Sequence, residues 1–471
     1  MKRSLLILAS IIFMCFSCSA FADLDAGLAA FRRQDFKTSF KEFEMAAKTG
    51  NPIAQKWLGW HYEVGTGTTK NYSQALVWYR KAAVQGDRDA MESIGNYYAY
   101  GLGVKQDIST AVEWLRKATE AGSYAYPKNI PGISDNPAIK KRFDDGIAAA
   151  HDIFRRKAEQ GDTLAQLNLG YMYLVDLSMM PQNMSQNQSQ AVGWIRKAAE
   201  KGHAGAHGIL GFMYAMEMVG ERDQVQAAKW YQLAATQGNA NAQYKLAAIY
   251  AGAGSMKYSF AKSVPKDIGK AKEWAVEAAQ QGVVEAQTLL GVLLLKTGTS
   301  EKDYAEALLW LRKAARQADP EAQVFIGDIY VSGLGVPRDY SQAISFYRKA
   351  IDNSGSKFAY GRLARMYEEG LGIPKDNTEA LQLYEKASES KFSTSDAPLH
   401  IKLARMYEDG VGTPKDDGKA FQHYGSAAVA GDPEAMKKLA EVFQKGLLGQ
   451  KADLEKAKYW REQIAKGDVP K

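Results

Sequence analysis

The sequence predicts an all-α solenoid of two-helix repeats. A motif of about 36 residues recurs along nearly the whole chain, its apolar residues have helical spacing, and glycines mark the turns of each copy. At 471 residues the chain is longer than a single hydrophobic core usually supports, which favours repeats or several domains. With 46% hydrophobic and 24% charged residues, its composition is that of an ordinary folded protein.

The repeat has ten clear copies, numbered 1 to 10 here. They begin near Asn51, Asp87, Asp162, His203, Asn239, Val283, Asp319, Ser356, Ala397 and Asp432. Each copy divides into a first helix (A helix) with the pattern Ala-x-x-x-Leu-Gly-x-x-Tyr, a Gly-x-Gly turn, and a second helix (B helix) with the pattern Ala-x-x-Trp-Tyr-x-x-Ala-Ala. One such hairpin cannot bury its apolar face alone, so the hairpins are expected to stack and share a continuous core.

Small residues in the motif have a physical explanation. Gly59 follows Leu58 in the first A helix, and its missing side chain lets a neighbouring helix approach closely. Trp78 fills the space between layers. Gly65 and Gly67 lie at the turn between the two helices, where glycine can adopt a positive φ with little conformational strain and other residues cannot.

The motif resembles that of the Sel-1-like repeat family, relatives of the tetratricopeptide repeats, over roughly residues 24 to 467. This resemblance implies a right-handed α/α superhelix. It also implies a scaffold in protein complexes, often exported or surface-associated in bacteria.

The amino-terminal residues indicate export. Lys2 and Arg3 precede an apolar run over residues 5–16, and Ala20-Phe21-Ala22 forms a small-x-small cleavage site before Asp23. The run is too short to cross a bilayer comfortably, so no integral span is expected after cleavage of this leader. We expect the mature protein in the periplasm, with secretion or outer-membrane association as alternatives.

Both cysteines, Cys15 and Cys18, lie in this leader, so the mature chain is expected to have neither disulfides nor cysteine metal sites. Lipid attachment at Cys18 is a less favoured alternative, because the aliphatic residue expected three places upstream is absent. The formal charge of +7 falls to +5 without Lys2 and Arg3. So mild a charge argues against nucleic acid as a partner.

The predicted organisation has six parts. These are a signal peptide (1–22), a capping helical hairpin (23–50), repeats 1 and 2 (51–122), an irregular insertion with a degenerate half repeat (123–161), repeats 3 to 10 (162–467) and a tail (468–471). Two turns, 176–190 and 252–265, are lengthened. Insertions in solenoids lie along one edge, so these turns either contact a partner or are decoration without a role.

In hairpin solenoids the A helices line the inner wall, so variable positions flanking the Leu-Gly pair are candidates for partner binding. In the amino-terminal half these positions are mostly large and apolar: Trp57, Trp60, Tyr100, Tyr171, Ile209 and Phe212. In the carboxy-terminal half they are charged: Arg362, Arg365, Lys402 and Arg405. The hypothesis is a groove with an apolar half for affinity and an ionic half for register and specificity. Alternatively, the aromatic residues are core and the charges a solvated face.

A second basic column follows the B helices, with Arg-Lys pairs such as Arg80-Lys81, Arg312-Lys313 and Arg348-Lys349. Cations suit the end of a helix, because they interact favourably with its dipole. An anionic ligand along this ridge is the alternative.

Catalysis is not expected. Some proteins of the resembled family have been described as penicillin-binding or weakly β-lactamase-like, and fragments of that enzyme motif occur at Ser259-Phe260-Ala261-Lys262, Ser134-Asp135-Asn136 and Lys296-Thr297-Gly298. Their order differs from that of serine β-lactamases, where Ser-x-x-Lys comes first. His203 and His207 stand four residues apart but lack the Glu of a zinc-protease motif, so no metal site and no cofactor are predicted.

The sequence therefore predicts an exported, non-enzymatic scaffold for a protein partner whose identity it does not specify, with no preference for an oligomeric state. A secreted or surface-exposed factor that contacts a host is an alternative, and a cell-wall-associated β-lactamase-like or regulatory protein is a weaker one.

Overall fold

A computed structural model describes residues 24, 26–121, 137–176, 184–252, 263–389 and 397–466. Within these ranges every regular element is an α-helix, which confirms the predicted all-α repeat fold. In the same ranges no helix is long and apolar enough to cross a membrane. The predicted leader lies outside the described residues.

The helices alternate between A and B types along the chain. Ahead of repeat 1, residues 26–32 are helical and α1 spans Phe36–Lys48. Repeats 1 and 2 contain α2 Pro52–Val64 and α3 Tyr72–Val84, then α4 Arg88–Tyr100 and α5 Ile108–Glu120. Helix α6, Pro137–Glu159, lies between repeats 2 and 3. Repeats 3 to 5 contain α7 Thr163–Asp176 and α8 Met184–Glu200, α9 Ala204–Ala215 and α10 Gln224–Thr236, and α11 Ala240–Tyr250 and α12 Ile268–Gln280. Repeats 6 to 10 contain α13 Val284–Thr297 and α14 Glu301–Ala315, α15 Pro320–Ser332 and α16 Tyr340–Ser354, α17 Lys357–Glu369 and α18 Asn377–Ser388, α19 Ala397–Asp409 and α20 Asp417–Val429, and α21 Pro433–Lys445 and α22 Leu454–Lys466.

Two irregular regions differ in extent from the sequence prediction. Helix α6 begins at Pro137, inside the segment expected to be irregular. Helix α8 begins at Met184, so the lengthened turn expected over 176–190 ends sooner, because Asn, Gln and Ser residues that read as loop extend the helix instead. Residues 122–136, 177–183 and 253–262 lie outside the described ranges.

Polar caps and glycines set the ends of the helices. The Asn51 side chain accepts a hydrogen bond from Ala54 N at 3.0 Å, which satisfies one of the unpaired N–H groups at the start of α2. At the other end, Gly65 has φ +84°. Gly67 is required by space as well, since a Cβ there would lie 2.2 Å from the carbonyl oxygen of Phe36.

Within a repeat, the A and B helices approach at the glycine of the Leu-Gly pair. A Cβ on Gly59 would lie 2.8 Å from the ring of Tyr79, and one on Gly327 would lie 2.4 Å from the ring of Tyr347. The tyrosine ring therefore takes up the volume that a side chain on the A helix would need.

Between repeats, a buried glutamine of the A helix bonds to the end of the preceding B-type helix. Its Nε2 donates to an alanine carbonyl eight residues earlier: Gln55 to Ala47 at 3.3 Å, Gln166 to Ala158 at 3.1 Å, Gln243 to Ala235 at 3.1 Å and Gln287 to Ala279 at 3.2 Å. Each of these carbonyls lies in the last turn of its helix and also accepts from the N–H of the glycine three residues later, at 2.9–3.1 Å. The glutamine therefore joins consecutive hairpins by a hydrogen bond.

The chain divides into two compact units, Met1–Thr297 and Gly298–Lys471. In the second unit, one apolar cluster runs continuously from Val324 to Leu448. In the first unit, a cluster extends from Ala75 to Met172 and smaller clusters lie around Leu210 and Leu246. Within each unit, neighbouring hairpins thus bury apolar faces against one another.

Candidate functional site

The amino-terminal end of the predicted groove is formed by Trp57 and Trp60 on α2, both half-buried. The Trp57 ring stacks on Phe43, with centroids 5.7 Å apart and an interplanar angle of 7°. Phe31 lies 4.7 Å from the ring of Trp57 and 5.1 Å from that of Trp60. Both tryptophans therefore hold the amino-terminal helices against repeat 1 while retaining some exposed surface.

Three of the other apolar candidates are core residues and expose little surface to a partner. Tyr100 is 6% exposed, Tyr171 2% and Ile209 2%. Tyr100 and Tyr171 belong to the core of repeats 2 and 3, and Ile209 belongs to that of repeat 4. Phe212 is half-buried and packs against the cores of repeats 4 and 5. Large residues flanking the Leu-Gly pair thus pack between repeats in this half.

Two charged candidates of the carboxy-terminal half, Arg362 and Lys402, are partly exposed and paired with acidic residues of the preceding repeat. Arg362 donates from Nε to Asp328 Oδ1 at 2.8 Å and from Nη2 to Oδ2 at 3.1 Å. The Lys402 ammonium bonds to Glu368. Lys438 Nζ donates to Glu408 Oε1 at 2.7 Å. Each contact joins two successive A helices.

A tyrosine of the intervening B helix completes each of these contacts. Tyr347 donates its hydroxyl to Asp328 at 2.7 Å, Tyr384 donates to Glu368 at 3.0 Å, and Tyr424 donates to Glu408 at 2.8 Å. We call these three groups the carboxylate triads: Asp328, Tyr347 and Arg362; Glu368, Tyr384 and Lys402; Glu408, Tyr424 and Lys438.

Burial raises the pKa of each triad tyrosine above the ordinary value of a tyrosine, and the adjacent carboxylate raises the pKa further. These hydroxyls therefore stay protonated and act as donors at any ordinary pH.

The two remaining candidates, Arg365 and Arg405, point into more open surroundings. Arg365 Nε donates to Glu369 at 2.6 Å within α17, and its side chain is 59% exposed. Arg405 pairs with Glu434 of the next repeat and is 54% exposed. Exposed ion pairs of this kind contribute little stability, so their charges can be redirected to a partner at small cost.

The B-helix arginines also have partners in the next repeat. Four of them donate from Nη2 to a tyrosine hydroxyl of the following A helix: Arg80 to Tyr98 at 2.6 Å, Arg196 to Tyr214 at 3.4 Å, Arg312 to Tyr330 at 2.9 Å and Arg348 to Tyr367 at 3.4 Å. The following lysine lies over the aromatic ring three residues before it, as Lys81 does over Trp78 at 3.9 Å. The basic column therefore has a role inside the solenoid.

The histidine pair and the Lys-Thr-Gly fragment, which were considered above as possible metal or serine-enzyme residues, lie at the ends of helices or pack within the solenoid. His203 caps α9, with its Nδ1 accepting from Gly205 N at 3.2 Å, and His207 Nε2 bonds to Ala199 O at 2.9 Å in place of the usual glutamine. Among the residues described, no group of three or more His, Cys, Asp or Glu side chains could hold a metal. Lys296 and Thr297 end α13, whereas the Ser134 and Ser259 fragments lie outside the described residues.

Known proteins place this architecture in a family. The family model described as Sel1 repeat matches ten segments that together span more than half of the chain: residues 52–87, 88–123, 163–203, 209–239, 240–283, 284–319, 320–354, 358–392, 398–432 and 433–468. A comparison with curated proteins finds no match.

Two solved structures are similar over most of the chain. A protective antigen present in uropathogenic Escherichia coli strains, described as displaying an SLR fold, is 29% identical, and the match covers 91% of this chain and 87% of that chain with a TM-score of 0.54. A Sel1 repeat protein from Oxalobacter formigenes is 26% identical, and the match covers 70% of this chain and 88% of that chain with a TM-score of 0.52. With ten matched repeats and this fold, the chain belongs to the Sel1 repeat family.

Proposed function

We propose that this chain is a non-enzymatic scaffold, exported from a bacterial cell, that binds a protein partner along its A helices. Solenoids of stacked helical hairpins commonly mediate protein–protein interaction. The observation that supports the proposal most is a set of half-exposed cations at two positions, before and after the Leu-Ala pair, of the successive A helices α17 and α19. Arg362, Arg365, Lys402 and Arg405 have side chains that are 52%, 59%, 40% and 54% exposed.

The contacts of these cations suggest that two of them are structural and that the other two are available to a partner. In the carboxylate triads, Arg362 and Lys402 are tied to acidic residues of the preceding repeat, so they fix the spacing of the A helices. Arg365 and Arg405 end in exposed pairs that an acidic segment of a partner can replace. We therefore expect these two arginines to contribute to specificity and to the rate of association.

The binding proposal is tested by affinity capture with the mature chain and a variant carrying Arg365→Glu and Arg405→Glu. Charge reversal is preferable to alanine at Trp60 or Phe212, because those two rings also pack against neighbouring helices. The matched control is Arg155→Glu on α6, whose side chain is 51% exposed and paired within its helix. Loss of the captured proteins in the double variant alone supports the proposal. Identical capture by all three chains contradicts it.

Export is proposed from the sequence alone, since the basic residues, apolar run and Ala20-Phe21-Ala22 site have the order of a secretory leader. Fractionation of the producing cell and the mass of the purified protein test it. A chain that begins at Asp23 and is recovered outside the cytoplasm is expected, and a full-length cytoplasmic chain would contradict it.

The non-enzymatic part rests on the order of the three serine-enzyme fragments and on the place of Lys296-Thr297 at the end of a helix. Hydrolysis of nitrocefin by the purified protein, at a rate that falls when Ser259 is changed to Ala, would overturn it.

A second candidate is a factor that contacts a host. The 29% identity to a protein described as a protective antigen of uropathogenic E. coli, over 91% of this chain, favours this candidate. Location separates the two: protein in the medium or on the cell surface supports host contact, whereas protein confined to the periplasm supports an internal scaffold.

A further inference from the structure

A pocket of about 450 Å³ opens in repeat 3 where three helices meet. The end of α6 contributes Glu159, α7 contributes Gln166, and the end of α8 contributes Trp194, Lys197 and Glu200. Lys201, directly after α8, completes the rim. This volume is in the usual range for a small-ligand site and can take one amino-acid side chain with part of its backbone.

Gln166, one of the residues that line the pocket, has a buried hydrogen-bond acceptor with no partner among the described residues. Gln166 is 5% exposed, and its Nε2 donates to Ala158 O at 3.1 Å. Since a carbonyl oxygen can only accept, the amide nitrogen must face Ala158 and Oε1 must face away from it. This Oε1 atom is buried and accepts no hydrogen bond from any described residue. An unsatisfied buried acceptor costs stability, so the site favours a donor.

Three other repeats of the same chain show which donor occupies this place. Gln85 Nε2 donates to Gln55 Oε1 at 2.8 Å in repeat 1, and Gln281 Nε2 donates to Gln243 Oε1 at 2.7 Å in repeat 5. In repeat 7, Asn353 Nδ2 donates to Gln323 Oε1 at 3.1 Å. In each case a primary carboxamide at the end of the B helix donates to the buried glutamine.

Repeat 3 lacks this internal donor. Lys201 directly follows its B helix, as Gln85 does in repeat 1 and Gln281 in repeat 5. The Lys201 ammonium donates instead to Gly161 O at 2.5 Å. The glutamine is therefore retained while the carboxamide that covers it elsewhere is missing.

We propose that the repeat 3 pocket binds a primary carboxamide, the side chain of an asparagine or glutamine in a partner segment. The amide N–H donates to Gln166 Oε1, and the aliphatic stem lies along the half-buried indole of Trp194. Two carboxylates, Glu159 and Glu200, and two ammonium groups, Lys197 and Lys201, surround the opening. Their charges balance, which favours a neutral polar group over an ion.

This inference rests on the proposed function, because the carboxamide comes from a protein partner. The test uses the full mature chain with ¹⁵N-labelled tryptophan indoles, assigned by Trp194→Phe, and titrates it with N-acetyl-glutamine methylamide. The glutamate and norvaline analogues are the control probes. We expect a saturable shift of the Trp194 indole signal with the carboxamide alone.

Two reciprocal substitutions decide the assignment. Lys201→Gln gives repeat 3 the internal donor of its sibling repeats, so the Trp194 shift should be lost although no other lining residue has changed. Gln85→Lys uncovers Gln55, so a new saturable shift should arise at Trp78, the matching ring of repeat 1. Thermal unfolding by circular dichroism verifies that both variants fold.

No carboxamide-specific shift at Trp194 in the wild-type chain, or an undiminished shift in Lys201→Gln, overturns the proposal. Either result leaves the capture experiment with the arginine variants intact, because those variants test a different set of helices. Failure of the pocket is thereby distinguished from failure of the scaffold function.

Discussion

At the scale of the residue, the second unit is organised by carboxylates that accept from two directions. Glu408 accepts from Tyr424 of its own repeat at 2.8 Å and from Lys438 of the next repeat at 2.7 Å. Hydrogen bonds to a charged group contribute more than neutral ones. Because one bond lies within a hairpin and the other joins two hairpins, each carboxylate triad couples the packing of a repeat to the stacking of its neighbour.

Substitution of Glu408 should therefore weaken two interfaces at once. We expect Glu408→Gln to lower the free energy of unfolding by about 1–2 kcal/mol, because it removes the charge that both donors share. The matched control is Glu441→Gln, which breaks an exposed pair with Lys445 in α21 and should cost no more than about 0.5 kcal/mol. Urea unfolding followed by circular dichroism measures both. Equal effects would show that the triad contributes nothing beyond a surface ion pair.

A second residue-scale feature is the contact between His400 and His423, whose Nδ1 atoms lie 3.1 Å apart in repeat 9. Burial, and then the neighbouring His400, lower the pKa of His423 to about 4. Lys419 lowers this pKa further and Glu385 opposes the shift. The Tyr407 ring is stacked against His423 with centroids 5.8 Å apart. Protonation of His423 thus places a charge in a partly buried position beside another imidazole.

This arrangement predicts acid sensitivity of repeat 9. The unfolded chain takes up a proton at His423 below about pH 6.5, whereas the folded chain does so only below about pH 4. Stability is therefore present above pH 6.5 and is lost as the pH falls toward 4, by on the order of 3 kcal/mol at most. His423→Phe, which copies Phe346 of repeat 7, should flatten the dependence of the thermal midpoint on pH in this window. An unchanged slope would contradict it.

The sequence predicts the column of cations but not the acidic residues that pair with it, because those residues do not keep one position in the repeat. In two triads the acid lies five residues after the Leu position, at Glu368 and Glu408, whereas in repeat 7 it lies two residues after it, at Asp328. Residues three apart share a helix face, so these positions are equivalent in space although they occupy different columns of the repeat. The tyrosines were visible as a conserved spacing within the chain, but their hydroxyl partners depend on how the hairpins stack.

At the scale of the element, the contact between the A and B helices of one repeat depends on which atoms face each other. Gly327 on α15 lies against the ring of Tyr347 on α16, where an added Cβ would come within 2.4 Å. In α17 the equivalent position is Ala364, which is fully buried. The close approach is therefore adjusted separately in each hairpin, and a general preference for small residues is all that the sequence pattern predicts.

Alanine at two helical glycines should have opposite effects. Gly327→Ala should lower stability by about 1–3 kcal/mol, because the Tyr347 ring must move away and with it the hydroxyl that bonds to Asp328. Gly361→Ala, inside α17 with nothing within 4 Å of the added Cβ, should raise stability by about 0.5–1 kcal/mol. Thermal unfolding of the two variants measures both changes. Stabilisation by Gly327→Ala would mean that the hairpin can absorb the methyl group.

At the scale of the whole molecule, the repeat period was sufficient to predict the fold. Caps and paired glycines recur at fixed offsets, so helix order follows from local signals that each repeat carries independently. The exposure of the large apolar residues was predicted less well, since Tyr100, Tyr171 and Ile209 are core residues. Whether a large apolar residue faces solvent or the next hairpin depends on the rotation between repeats, and no local pattern specifies that rotation.

The second unit, Gly298–Lys471, should fold when expressed alone. Its apolar cluster, from Val324 to Leu448, draws every buried member from within the unit, and the three carboxylate triads lie in the same segment. Solenoid stability is a sum over repeats and their nearest neighbours, so the four complete hairpins of repeats 7 to 10 retain most of it. We expect a helical circular dichroism spectrum and a cooperative thermal transition. The control fragment starts at Tyr340, which removes α14 and α15 and with them Asp328 and Gly327, the residues against which Tyr347 packs. This shorter chain should unfold at a lower temperature. Equal thermal midpoints of the two fragments, or the absence of a cooperative transition in the fragment Gly298–Lys471, would contradict the assignment of this unit as an independent array.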